Sequence, residues 1–130
     1  FIGEIVKLCE TEKKIVVDTF DGEEDIHEYR MIHGIPQADV RFLISESHGH
    51  IVKEIVDRRM DVTILMTGGD TLMGYMKLIG CTQLEPVCEI EPGVVVSMLV
   101  WNGYRQQVIS KSGGFGTEDI MGRIAQKIVK

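Results

Sequence analysis

The chain has 130 residues, with 14 Lys plus Arg against 20 Asp plus Glu and a formal net charge of −6. That balance excludes a generic nucleic-acid binder, because no surplus of cations is present to neutralise a phosphate backbone. An apolar fraction of 44% and a charged fraction of 26% fit a soluble globular protein of one domain, whose folding is expected to bury about two-thirds of the unfolded surface, roughly 14,000 Å².

In chain order, Ile2, Ile5, Val6 and Cys9 have helical spacing, and Ile15 to Val17 form a short apolar strand before a turn at Asp21 and Gly22. Residues 23–43 carry no clear period, and Pro36 interrupts them. From about Ser47, the positions Ile51, Val52, Ile55, Val56 and Met60 mark one face of a helix that ends at Asp61. Val62 to Met66 is an apolar, branched run of the kind buried on both faces of a parallel sheet. Thr67 to Asp70 turns the chain, and Leu72, Met73, Met76 and Ile79 form a short helix stopped by Gly80. Leu84, Val87, Cys88 and Ile90 are strand-like and close on a turn at Pro92-Gly93. Val94 to Trp101 and Tyr104 to Ser110 flank Asn102-Gly103, the dipeptide of type I′ hairpin turns, in which both central residues need positive φ. After the loop Lys111 to Gly116, Thr117 is the expected N-cap of a last helix with Ile120, Met121, Ile124 and Ile128 on its buried face. The expected fold class is α/β: a three-layer sandwich with a mostly parallel sheet, helices on both faces and an antiparallel hairpin near the C-terminus.

Cys9, Cys81 and Cys88 lack CxxC spacing and sit among apolar residues, so they read as reduced core thiols of a cytoplasmic protein. No apolar run is long enough to span a bilayer and no signal-peptide pattern is present. The chain opens with Phe1 and Ile2, as expected of a processed start or a piece of a longer protein.

Charge and glycine are unevenly spread. Residues 1–61 hold 14 acids and 8 bases, whereas residues 62–130 hold 6 of each and, from Gly68 onward, 10 of the 14 glycines. Glycine lets a backbone approach a ligand closely, and a neutral setting suits an anionic one. Two units there read strand, glycine loop, helix: one turns at Thr67-Gly68-Gly69-Asp70-Thr71, the other at Lys111-Ser112-Gly113-Gly114-Phe115-Gly116. Loops leaving the carboxyl ends of strands build ligand crevices in open α/β sheets, and helix N-termini present free N–H groups to anions. Two such loops could grip a polyphosphate from both sides. Asp70 would repel a phosphate unless a divalent cation or sugar hydroxyl lay between them, which makes it the candidate Mg²⁺ ligand. Thr67 and Thr71 offer hydroxyls, and Lys111 offers a point charge. The Walker spacing is absent. The plain alternative is that both loops are ordinary turns.

Other patterns carry less. His48-Gly49-His50 has no third donor nearby and reads as solvated loop; Asp21, Glu23, Glu24, Asp25 and Glu28 read as a solvated acidic surface. Trp101 and Tyr104 should pack across the hairpin, and no nucleophile-elbow or Ser/His/Asp pattern supports hydrolase chemistry.

Three stretches occur in order: Leu65-Met66-Thr67-Gly68-Gly69-Asp70-Thr71, then Glu89-Ile90-Glu91-Pro92-Gly93-Val94, then Lys111-Ser112-Gly113-Gly114-Phe115-Gly116 followed by Asp119. With them the chain resembles the C-terminal nucleotide-binding domain of the four-carbon acid sugar kinase family, also labelled Hrp-dependent type III effectors. The resemblance implies an ATP-dependent, cytoplasmic kinase that phosphorylates the terminal hydroxyl of threonate, erythronate or 3-oxo-tetronate. It also implies Mg²⁺ as cofactor, ATP contacts at Gly68, Gly69, Asp70, Thr71, Gly113 and Gly114, and a sugar acid held by a separate N-terminal domain. In that family a Gly-Ser motif precedes the region seen here, and Val95 stands where a proline often follows Pro-Gly-Val. The expectation is therefore a domain spanning residues 1–130, the C-terminal fragment of a two-domain kinase, with little activity alone and no catalytic residue assigned. Its partners would be a nucleotide and, through the other domain, a sugar acid, with no nucleic acid, no membrane, and self-association left open. The competing reading is a non-catalytic phosphate- or nucleotide-binding or assembly module.

Overall fold

Glycine and proline set most of the boundaries in the computed structural model, which describes residues 1–18 and 23–128. Helix α1 (Ile2–Thr11) buries Ile5 and Val6. Helix α2 (Glu23–His33) gives way to Gly34 at φ 63°, after which the Ile35 amide donates to the Arg30 carbonyl at 3.0 Å. Pro36, at φ −61°, is the N-cap of α3 (Gln37–Asp57). The proline therefore starts a helix, and the aperiodic region resolves into α2 and the first half of α3. His48, Gly49 and His50 lie in the middle of α3, not in a loop as expected from sequence.

Strand β1 (Leu65–Thr67) leads directly into α4 (Gly69–Ile79), which ends at Gly80 in the left-handed region as its position after Ile79 implied. Strands β2 (Gln83–Glu91), β3 (Val94–Trp101) and β4 (Tyr104–Lys111) follow, then α5 (Ile120–Ile128). Asn102 and Gly103 take φ 46° and 78°, the paired positive angles of the expected hairpin turn, and the Trp101 and Tyr104 rings pack with centroids 6.1 Å apart.

The sheet runs β1-β4-β3-β2, with β1 parallel to β4 and the other two pairs antiparallel. The fold is α/β with helices on both faces and the C-terminal hairpin; the sheet is mixed, with one parallel pair where a mostly parallel sheet was expected. The reason is the short Pro92-Gly93 and Asn102-Gly103 turns, which leave no room for a parallel crossover.

Alternation along the strands divides the core in two. On one face, Met66, Leu99 and Val108 pack against Val52 of α3 and Leu72, Tyr75 and Met76 of α4. On the other, Val94 and Ile109 pack against Ile120 and Ile124 of α5. Tyr75 is fully buried, its hydroxyl donates to Gln106 Oε1 at 2.7 Å, and burial pushes its phenol up to about 12.

Several local expectations are corrected. Ile15 to Val17 joins no ladder among the described residues, and Val16 is 84% exposed. Val62 to Ile64 precede β1, with Val62 exposed. Only Cys81 is a core thiol; Cys9 is half-buried and Cys88 exposed on β2, all three unpaired. The expected turn at Asp21 and Gly22, and the acidic side chains from Asp21 to Asp25, lie outside the described residues. The accessible surface is 9145 Å², against roughly 6,900 Å² for a compact monomer of this mass, so folding buries less than the expected two-thirds.

Candidate functional site

Register brings the two glycine loops together. Thr67 at the end of β1 pairs with Lys111 at the end of β4, so both strands release their loops at the same edge of the sheet. The Gly68 amide donates to the Lys111 carbonyl at 2.9 Å, which ties the first loop to the start of the second. A Cβ built on Gly113 would lie 3.9 Å from Gly68 Cα.

Each glycine in these loops can be asked why it is glycine. Gly68 has φ 87° and ψ 135°, a conformation that side chains reject, and Gly116 at φ 99° lies against Ile120. Gly69 and Gly114 are different: neither has a positive φ, and a Cβ on either would meet no heavy atom within 4 Å. Neither backbone strain nor packing within the protein demands glycine there, and a Cβ on either would stand in open space.

The two loops also carry backbone donors without a partner and a cation at their base. Gly68 caps α4 without any side-chain hydrogen bond, leaving the first-turn amides at Gly69, Asp70 and Thr71 for another acceptor. In the second loop the Ser112 amide donates to Gly93 O at 2.9 Å and the Phe115 amide to Ser112 O at 3.0 Å, whereas the Gly113 and Gly114 amides have no partner among the described residues. Lys111 is 7% exposed, and its Nζ donates to the carbonyls of Ser112 and Gly113 at 3.0 Å each. Among the described residues no carboxylate pairs with it. A buried cation held only by carbonyls leaves its charge uncompensated at the base of both loops. Lys111 thus braces the second loop from within, a placement that its sequence position beside the glycines did not reveal.

The Pro92-Gly93 turn is scaffolding for the second loop. Gly93, at φ 75°, carries the Phe115 ring where a Cβ would stand, 2.6 Å from the nearest ring atom, and its amide donates to Glu89 Oε1 at 2.9 Å. Glu91, half-buried, accepts from Lys127 Nζ at 3.0 Å and Arg123 Nε at 3.4 Å. The Lys127 hydrogen bond, with help from Arg123, holds the Glu91 carboxyl below the usual carboxylate range. The expected N-cap at Thr117 is corrected: its hydroxyl donates to the Asp119 carboxylate and accepts from Arg123 at 3.1 Å, and α5 starts only at Ile120. The second loop therefore ends before its helix begins at Ile120, and its free amides are not those of a helix end.

Asp70 stands in the first turn of α4 and is exposed, as a metal ligand would be. Its partner here is Arg41 of α3, a contact across 29 positions for which sequence spacing held no signal. Arg41, Asp70 and Lys77 line a groove of about 610 Å³ between α3 and α4, with Phe42 and Met73 on its apolar wall. Among the described residues no three His, Cys, Asp or Glu side chains group to hold a metal. One exposed carboxylate in the first turn of α4 is a donor of the kind that Mg²⁺ takes, since it binds through one or two carboxylates and substrate phosphates.

Known proteins resemble the chain at the level of family and fold. The family described as nucleotide-binding C-terminal domain matches residues 2–121. Two solved structures, crystal forms of a domain of unknown function (DUF1537) from Bordetella bronchiseptica with bound citrate, described as domain-swapped dimers, are similar to the chain. One is 25% identical over 63% of this chain and 21% of its own, with a TM-score of 0.55. The other is 19% identical over 96% of this chain and 29% of its own, with a TM-score of 0.62, a likeness of fold. No curated protein matches. The chain thus spans less than a third of the solved chains it resembles. These findings bear out the likeness to the four-carbon acid sugar kinase family carried by the three motifs. No helix among the described residues is long and apolar enough to cross a membrane.

Proposed function

From the premise that the chain belongs to the nucleotide-binding C-terminal domain family, we propose that it holds the polyphosphate of ATP between its two glycine loops, as the C-terminal part of a two-domain kinase. The observation that carries this reading is the pairing of Thr67 with Lys111, which sets the two glycine loops side by side at the buried, carboxylate-free ammonium of Lys111. An anion there would find backbone donors, the positive end of α4 and an uncompensated cation together.

The roles follow from position. The amides at Gly69, Asp70 and Thr71 bind one side of the polyphosphate, those at Gly113 and Gly114 the other, and Gly68 supplies the turn that aims the first set. Thr71 offers a hydroxyl to a phosphate oxygen or a metal-bound water. Lys111 fixes the carbonyls of the second loop so that its amides point outward, and its charge offsets the phosphates. Asp70 holds Mg²⁺, which when bound neutralises phosphate charge during transfer. Phosphoryl transfer needs mainly positioning and charge neutralisation, which this arrangement supplies without an acid or base of its own.

The acceptor is a four-carbon sugar acid of the threonate, erythronate or 3-oxo-tetronate type, phosphorylated at its terminal hydroxyl. It is held, with the catalytic base, by a partner domain of a longer polypeptide, and the protein works in the cytoplasm. The support is the three-motif likeness and the relation to DUF1537 proteins.

Calorimetric titration with Mg·ATP tests the binding claim. Gly69→Ala and Gly114→Ala should each weaken binding by about three- to tenfold while leaving the unfolding free energy unchanged within about 0.5 kcal/mol, because the new Cβ meets ligand and not protein. Unchanged affinity in both variants would mean that the loops serve packing or assembly alone.

A further inference from the structure

The geometry points to Arg41 as a further phosphate-binding residue, which gives up Asp70 to the nucleotide's Mg²⁺ and takes a phosphate oxygen instead. This deepens the nucleotide reading and rests on it.

Asp70 sits at the N-terminus of α4, where a carboxylate opposes the approach of the anion that the free amides invite. Arg41 of α3 reaches across and hydrogen-bonds that carboxylate through its terminal nitrogen. Both side chains are exposed, 83% for Arg41 and 58% for Asp70, and an ion pair so solvated contributes little to the fold. Its value lies in where it puts the charge. The guanidinium stands at the mouth of the first glycine loop, at the end of the α3–α4 groove, although Arg41 belongs to none of the three motifs.

A divalent cation and a guanidinium compete for the same carboxylate. Once Asp70 turns to the metal, Arg41 is left unpaired within reach of the phosphates, and its planar donors match phosphate oxygens two at a time. Before binding, the pair masks Asp70 and keeps the loop mouth from repelling polyphosphate. After binding, the same arginine contributes directly. Ser45, one turn further along α3, bonds back to the Arg41 carbonyl at 2.9 Å and lies buried against Gly74 of α4, so the base of the arginine is fixed relative to the loop.

The experiment titrates the wild-type chain, Arg41→Ala and Arg41→Lys with Mg·ATP, Mg·tripolyphosphate and adenosine, each beside a thermal melt. Arg41→Ala should lose about tenfold or more in affinity for both phosphate ligands, with adenosine binding and the melt unchanged, and Arg41→Lys should recover only part of the loss. Equal affinity of wild type and Arg41→Ala for Mg·ATP would overturn the role of Arg41 while leaving the nucleotide site standing. A wild-type chain that binds neither phosphate ligand at millimolar concentration would overturn the nucleotide reading itself and the inference with it.

Discussion

The imidazole of His48 shows how far a residue's environment can depart from its sequence context. Both ring nitrogens are buried without a hydrogen-bond partner, and burial lowers its pKa from 6.5 although Asp18 opposes the shift. The unfolded chain therefore binds a proton more readily than the folded one. The contribution of His48 to stability is complete above about pH 6.5 and declines as the pH falls towards the depressed folded value. Glu91 is held low chiefly by Lys127, and Asp119 chiefly by the Thr117 hydroxyl and then Arg123, so their contributions are present above the ordinary carboxylate range and are lost only in stronger acid. Denaturant titrations at about pH 7.5 and 5.5 separate the two effects: the wild type should lose more stability over that interval than His48→Leu. Equal losses would contradict the assignment of that window to His48. Glu91→Gln should flatten the profile only below about pH 5.

Helix α4 links the core to the loop that starts it. It crosses α3 where Gly49 meets Gly74: a Cβ at Gly49 would lie 3.2 Å from the Gly74 carbonyl, and one at Gly74 would stand 2.6 Å from the Ser45 carbonyl oxygen. Gly74→Ala should force the helices apart, cost about 1–3 kcal/mol in a urea titration, and weaken Mg·ATP binding because the amides of Gly69 to Thr71 move with α4. Unchanged stability would show that the crossing has slack. These elements also mark what a sequence can tell. Asn102-Gly103, Gly80 and the glycine loops were legible because each reflects backbone conformation over a few residues. Ile15 to Val17 and the length of β1 were not, because a branched apolar run specifies extended backbone but not the neighbour that completes a ladder. The Arg41–Asp70 pair, the Gly49–Gly74 crossing and the inward turn of Lys111 depend on packing between distant segments, so no spacing rule could find them.

At the scale of the molecule, charge and surface fit one picture. The −6 of the chain belongs to residues 1–61, while the half that carries the loops is neutral, with the buried Lys111 among its six bases. Folding leaves about a third more surface than a compact monomer of this size would expose, including Met31 at 72% and Ile32 at 70% on α2 and Phe42 at 58% on α3. The solved chains that it resembles are three to five times the length matched. The central claim concerns the ends of β1 and β4, which release the two glycine loops side by side. Amide hydrogen exchange with and without saturating Mg·ATP tests it most directly. The account predicts slowed exchange at Gly69 to Thr71 and at Gly113 and Gly114, with the Asn102-Gly103 hairpin tip unchanged; exchange unaltered at both loops in a folded chain would contradict it.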